Sequence, residues 1–182
     1  MSSLDEIFAI YDSQGSDAYF GEPVSMSEHA LQAAHFATLE GAPASLAAAA
    51  LLHDIGHLID ENVPADIAHW DSDAVHELLG ARWLVSRFGA EVSEPVRLHV
   101  SAKRYLCATQ PEYLSRLSSA SVVTLRLQGG PMSPAEVAQF ERQPFSREAL
   151  RLRHWDDQAK IHGLVTAPLA AYRGLLEALA TR

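Results

Sequence analysis

Ala44-Ser-Leu-Ala-Ala-Ala-Ala-Leu-Leu-His-Asp-Ile-Gly-His57 sets an apolar helix directly against three ionisable side chains. Strong helix formers fill Ala44 to Leu52, and Pro43 stands at the first turn, where a missing N–H costs nothing. A bare His-Asp pair carries little weight, because nine histidines and ten aspartates in 182 residues give roughly half an occurrence by chance. The setting of this pair carries more. His53 and Asp54 follow a helix that belongs in a core, and burying them unpaired is costly. A metal ion removes that cost: an aspartate can bridge two ions through its two oxygens, while the adjacent histidine gives a nitrogen to one.

Helical signals continue on both sides of this stretch. Ser25-Met-Ser-Glu28 is a capping box opening an apolar-periodic helix to about Leu39. Asp71 or Ser72 can cap a helix in which Val75, Leu78, Leu79, Trp83 and Leu84 recur at helical spacing, ending near Gly89. Helices are expected over Glu91–Tyr105 and Glu112–Leu127, the latter closed by Gly129-Gly130-Pro131. Ser133-Pro-Ala-Glu136 is a second capping box, and helices near Ser146–Trp155 and Leu169–Leu179 complete the set. No period-2 strand, internal repeat or linker interrupts the pattern, so residues 1–182 are read as one all-α domain, an irregular helical bundle. Gly15-Ser-Asp-Ala-Tyr19-Phe-Gly21-Glu22-Pro23, glycine-punctuated and aromatic, precedes the first capped helix and suits a lid segment over about 15–23.

The remaining histidines supply partners for His53 and Asp54. His29 lies in the first capped helix, His76 in the helix before Gly89 and His99 in a later helix, each flanked by apolar residues. Turned inward with Asp156, which follows Trp155, they form with His53 and Asp54 two imidazole–carboxylate sites suited to iron, manganese or zinc. His57, four residues after His53, shares its helical face and is open to a substrate-facing or a packing role. His35 stands six residues after His29, about 240° around the helix, and is read as a bystander with His69, His154 and His162.

Composition bounds the partners. The formal net charge is −9, which repels nucleic acid, although Lys103-Arg104 and Arg151-Leu-Arg153 can gather an anion locally. Cys107 is the only cysteine and is read as a free core thiol in a reducing compartment. The acidic start Met1-Ser-Ser-Leu-Asp-Glu lacks the basic region of a secretory signal, and Ala42–Leu52 is too short to span a bilayer. A cytoplasmic, membrane-free protein is expected.

The series His29, His53-Asp54, His76, His99 and Asp156 resembles the HD-domain superfamily, most of whose members are metal-dependent phosphohydrolases. His76 and His99 look like the version that holds two metals, which includes hydrolases and also diiron oxygenases. Tyr19-Phe-Gly-Glu22, Leu51-Leu-His-Asp-Ile-Gly-His57, His99-Val-Ser-Ala-Lys-Arg-Tyr-Leu106, Leu127-Gln-Gly-Gly-Pro-Met132 and Arg153-His-Trp-Asp156 are similar to the bacterial HD-domain oxygenases of phosphonate catabolism. Those enzymes use O2 to cleave the carbon–phosphorus bond of 1-hydroxy-2-aminoethylphosphonate or its trimethylammonio analogue, releasing phosphate with glycine or glycine betaine.

This resemblance implies a mixed-valent Fe(II)/Fe(III) pair, with His29, His53 and Asp156 on one iron, His76 and His99 on the other, and Asp54 bridging. It further implies Tyr19 as a lid tyrosine, Glu22 as the partner of the substrate ammonium, and Lys103, Ser121 and Arg153, with His57 nearby, as phosphonate holders. For a trimethylammonium group, aromatic faces such as Tyr19, Phe20, Trp70 or Tyr105 gain importance. The segment Asn62–Ser72, with Trp70, is the least family-like part and is a place where substrate choice could be tuned. Two other readings stand beside this one. A metal-dependent phosphohydrolase would release phosphate without consuming O2. A scaffold with a degraded site would bind far less than two metals per chain.

Overall fold

A computed structural model describes residues 3–60 and 76–181. Among them the chain is all-helical, its only β feature being an isolated antiparallel bridge between Ala18 and Ser25. Helix α1 (Ser3–Gln14) is an element the sequence reading did not anticipate. It buries Leu4, Ile7 and Tyr11 against the core, and the Tyr11 hydroxyl donates to the Leu51 carbonyl at 2.7 Å.

Helix α2 (Met26–Leu39) starts at the expected capping box: Glu28 N–H donates to Ser25 Oγ, and Ser25 N–H donates to Glu28 Oε2. Helix α3 (Ala44–Leu52) is the centre of the molecule. Leu46 through Leu52 are all buried, as expected of a helix apolar on every side. Its alanines bring α2 close, and three more helices pack on it: α6 (Ala90–Thr109), α10 (Ser146–Gln158) and α11 (Arg173–Leu179). The chain breaks at His53-Asp54 and resumes as α4 (Ile55–Ile59).

Helix α5 (His76–Phe88) ends at Gly89, as expected, where φ is 75°. Its expected start at Asp71 or Ser72 lies outside the described residues, as do Val75, His69 and Trp70. The helix expected over Glu112–Leu127 is two helices, α7 (Tyr113–Arg116) and α8 (Ser119–Leu127). Leu117 is extended between them, and Ser118 begins the second by accepting from Ser121 N–H, the local bond through which serine competes with helix continuation. Helix α9 (Pro134–Glu141) carries the second capping box. Helix α10 runs one turn past Trp155, and the last segment opens with a 3₁₀ turn over Leu169–Tyr172 before α11. Cys107 is free but only half-buried on α6, not in the core. No described helix is long and apolar enough to cross a membrane.

Candidate metal centre and anion pocket

Five elements deliver one buried cluster. Helix α2 supplies His29, the α3–α4 break supplies His53 and Asp54, α5 begins with His76, α6 carries His99, and α10 carries Asp156. All six are buried, with none more than 6% exposed. The Nε2 atoms of His29 and His53 lie 3.1 Å apart, and so do those of His76 and His99.

Asp54 divides its two oxygens between these pairs. Oδ2 lies 3.4 Å from His53 Nε2 and 3.7 Å from His29 Nε2. Oδ1 lies 3.3 Å from His76 Nε2 and 3.5 Å from His99 Nε2. Asp156 Oδ1 adds a second carboxylate 3.4 Å from His29 Nε2.

The outer ring nitrogens decide what these contacts mean. His29 Nδ1 donates to the Ala159 carbonyl and His53 Nδ1 to the Ala50 carbonyl, both at 2.8 Å; His99 Nδ1 donates to the Val96 carbonyl at 2.7 Å. That assignment, made from the carbonyls, leaves each neutral ring a lone pair at Nε2. Two lone pairs facing each other 3.1 Å apart, as at His29 and His53, repel unless a cation sits between them and the carboxylates. Carbonyl-backed imidazoles around a shared carboxylate are the usual support of a metal site, so the donor set fits one.

Electrostatics agree. Burial pulls the His29 imidazole down, and burial together with the neighbouring His76 ring takes His99 to about 3. Burial opposes ionisation of Asp54, but His53 and His76 outweigh it and hold the carboxyl well below its usual range. Burial likewise opposes ionisation of Asp156, where Arg153 and His29 win. Burial opposes protonation of His53, but Asp54 outweighs it and draws the imidazole upward. Deprotonated carboxylates and mostly neutral imidazoles are the forms that ligate a metal.

Beside the cluster is a narrow cleft of about 40 Å³, walled by Tyr19, Phe20, His57, Lys103, Ser121 and Arg153 together with Asp54, His76, His99 and Asp156 of the cluster. Tyr19 closes one side: its hydroxyl donates to Asp54 Oδ2 at 2.8 Å and its ring stacks on His29 at 3.8 Å. A tight turn holds it there. Phe20 and Gly21 both have positive φ (41° and 82°), and Glu22 N–H donates to the Tyr19 carbonyl at 2.8 Å. Phe20 tilts onto His57, whose ring stacks on His76 at 3.8 Å. His57 also groups with Asp54 and His76 closely enough to share an ion.

The cationic wall is narrower than the paired basic residues of the sequence suggested. Lys103 lines the cleft and donates to Thr124 Oγ1 at 2.8 Å. Its neighbour Arg104 points away, donating to Glu136 and to the Gly130 carbonyl. Arg153 lines the cleft, whereas Arg151 lies over the Trp155 ring. Adjacent helix residues diverge by about 100°, so only one of each pair can face the site.

Arg153 is already engaged: Nη1 donates to Asp156 Oδ2 at 2.7 Å, Nη2 to Asp157, and Nε to the Tyr113 hydroxyl. It therefore supports Asp156 as well as lining the cleft. Tyr105 is not at the site; it packs on Phe140 and donates to Glu141. Glu22 is not part of the cleft wall either, and its Oε1 lies 3.8 Å from Lys160 Nζ. His35 and the exposed His154 and His162 stay clear of the cluster. A wider groove of about 210 Å³ along α6 and α9 has its guanidiniums, Arg97 and Arg104, paired with Glu94 and Glu136, so size alone does not mark the site.

Sequence reasoning missed Thr124, Gln128 and Lys160. Thr124 and Gln128 follow Ser121 at i+3 and i+7 and line the same cleft, a periodicity visible once α8 is separated from α7. Lys160 is i+4 from Asp156 and donates to Ser121 Oγ at 3.1 Å, but it lies past the helix end, where periodicity gives no signal.

No protein-family model matches the chain. Three known proteins are similar over most of its length. The chain is 46% identical over 157 residues to the glycine-betaine-forming [1-hydroxy-2-(trimethylamino)ethyl]phosphonate dioxygenase of Leisingera caerulea, spanning 86% of this chain and 80% of that protein. It is 42% identical over 174 residues to the hydroxymethylphosphonate dioxygenase of Gimesia maris, spanning 96% and 86%. An uncharacterised protein of Acanthamoeba polyphaga mimivirus is 36% identical over 179 residues, spanning 97% and 81%.

Proposed function

The chain belongs to the phosphonate dioxygenases, and from that premise we propose that it is a diiron enzyme cleaving the C–P bond of 1-hydroxy-2-aminoethylphosphonate or its N-trimethylated analogue with O2. The products are phosphate and glycine or glycine betaine. One substrate and one O2 supply every atom of a carboxylic acid plus phosphoric acid, so no external reductant is required.

The observation that carries this reading is the division of Asp54 between two histidine pairs, each with its Nε2 atoms 3.1 Å apart. His29, His53 and Asp156 would hold one iron, His76 and His99 the other, with Asp54 between them. Imidazole and carboxylate without thiolate suits iron, and zinc, which has no redox chemistry, does not serve an oxygenase. An iron pair, when bound, supplies the one-electron chemistry that O2 requires.

The protein's own groups do the rest. Lys103 and Ser121, with Arg153 and His57 at the same cleft, would bind the phosphonate; charge-assisted bonds to a dianion are strongest where water is scarce. Glu22 would take the substrate ammonium. Tyr19, hydrogen-bonded to the bridging carboxylate, would act as the lid over 15–23 that yields its place to substrate.

The test is phosphate release from 1-hydroxy-2-aminoethylphosphonate, its trimethylammonio analogue and hydroxymethylphosphonate, with and without O2, alongside iron quantification. Oxygen-dependent release at about two irons per chain is expected. Release that persists without O2, or activity confined to phosphate esters, overturns the proposal in favour of hydrolysis.

A further inference from the structure

Glu22 and Lys160 form a pair outside the cleft wall, and the proposed chemistry uses Glu22 but gives Lys160 no role. Glu22 Oε1 is buried and has no hydrogen-bond partner among the described residues. Lys160 Nζ is 3.8 Å away, near enough to offset its charge and too far to donate a hydrogen bond. Lys160 instead donates to Ser121 Oγ at 3.1 Å and lies 4.0 Å from Asp156 Oδ1, and both of those residues line the cleft.

Its backbone is pinned on either side. The Ala159 carbonyl accepts from His29 Nδ1. The Gln32 amide both donates to the Ile161 carbonyl and accepts from Ile161 N–H, at 2.8 and 2.9 Å. His162 Nδ1 donates to the Pro23 carbonyl at 3.1 Å, tying the same segment to the residue after Glu22. Lys160 and Glu22 are thus held near one another from both segments.

The geometry points to Lys160 as a specificity-determining residue: by offsetting the charge of Glu22, it sets how strongly the site prefers phosphonates with a cationic nitrogen over those with none. The inference rests on the phosphonate-oxygenase reading above. A protonated amine can fill the unpartnered acceptor at Glu22 Oε1, but the Lys160 ammonium offsets part of the carboxylate charge that would draw it. A phosphonate lacking nitrogen gains nothing from Glu22 and so loses nothing when Lys160 offsets that charge. Offsetting Glu22 therefore shifts the balance away from cationic substrates, and removing the charge at 160 shifts it toward them. Lys160 acts here through Glu22 and is a positioning residue for it.

The experiment compares kcat/KM for 1-hydroxy-2-aminoethylphosphonate and hydroxymethylphosphonate in the iron-loaded wild type, Lys160→Met, Lys160→Arg, Glu22→Gln and the Lys160→Met/Glu22→Gln pair. Iron content and thermal unfolding are followed in each. Lys160→Met should raise the amine-to-hydroxymethyl ratio roughly tenfold, whatever it does to either rate alone, while Lys160→Arg keeps the wild-type ratio. The double variant should match Glu22→Gln alone, because Lys160 has then lost the group through which it acts. A merely structural role would slow both substrates alike. An unchanged ratio in Lys160→Met, or a raised ratio that survives Glu22→Gln, overturns the inference. Should Lys160→Met fail to fold, Lys160→Gln takes its place with the same expected rise. If the wild type releases phosphate from neither substrate with O2, the functional reading itself has failed, a result distinct from an unmoved ratio.

Discussion

His29 and His53 stand 3.1 Å apart at Nε2, and so do His76 and His99, yet the two pairs rest on different supports. Each pair has one histidine backed by its own helix: His53 donates to the Ala50 carbonyl and His99 to the Val96 carbonyl, three residues earlier in each case. The second members differ. His29 is backed from 130 residues away by the Ala159 carbonyl, in a tail clamped by Gln32. His76, on α5, has its backbone packed on backbone: α4 presents Gly56 to the His76 carbonyl, and Gly80 approaches Gly56 N. The His29 half leans on a long-range hydrogen bond and the His76 half on close backbone packing, so different substitutions should break them.

The largest effect is expected from removing what the halves share. Asp54→Ala should abolish iron retention at both, taking about two irons per chain to near none by elemental analysis. Retention of even one iron would show that the pairs are independent sites.

Gly56→Ala should separate the halves. A Cβ there would lie 2.0 Å from the His76 carbonyl oxygen, so the first turn of α5 must retreat. Forcing such an overlap costs about 1–3 kcal/mol, readable as a lower denaturation midpoint. Iron should fall toward one per chain, with His29 and His53 undisturbed. Equal loss from both halves would sink the comparison.

The same contrast explains what the sequence disclosed. The capping boxes at Ser25 and Ser133 and the apolar run of α3 were legible because caps and periodicity are local. The six cluster residues were legible as types that cannot be buried alone. The break at Leu117 was not, because a serine can sit in a helix or start one, and only tertiary packing chooses. Nor was the choice of Lys103 over Arg104 and Arg153 over Arg151, which turns on which helix face meets the cleft. Lys160, Gln32 and the Gly56 contact depend on tail and crossing geometry for which a linear pattern has no counterpart.

A smaller effect is expected at Gln32. It is buried, and its amide makes both hydrogen bonds to Ile161. Gln32→Leu removes the clamp and leaves the Ile161 backbone to solvent, which that half-exposed residue can reach, so a loss of about 1–2 kcal/mol is expected in chemical denaturation. Iron loss should be confined to the half containing His29, because the Ala159 carbonyl loosens while the Gly56 contact does not. Loss from the His76 half instead would reverse the assignment of supports.

Tyr19→Phe should have the smallest effect on stability and is the finest test of the asymmetry. The Tyr19 hydroxyl donates to Oδ2 of Asp54, the oxygen facing His29 and His53, and the ring stacks on His29. Phenylalanine keeps the ring and loses one hydrogen bond, a cost of about 1 kcal/mol in thermal unfolding. Both irons should stay, since Asp54 keeps its two oxygens and its four imidazole neighbours. What should change is the cover over that oxygen: without the hydroxyl, solvent or O2 reaches the His29 half before substrate does. Substrate-free oxygen uptake should therefore rise while iron content holds. If uptake is unchanged, Tyr19 is a packing residue of the His29 half and not its gate.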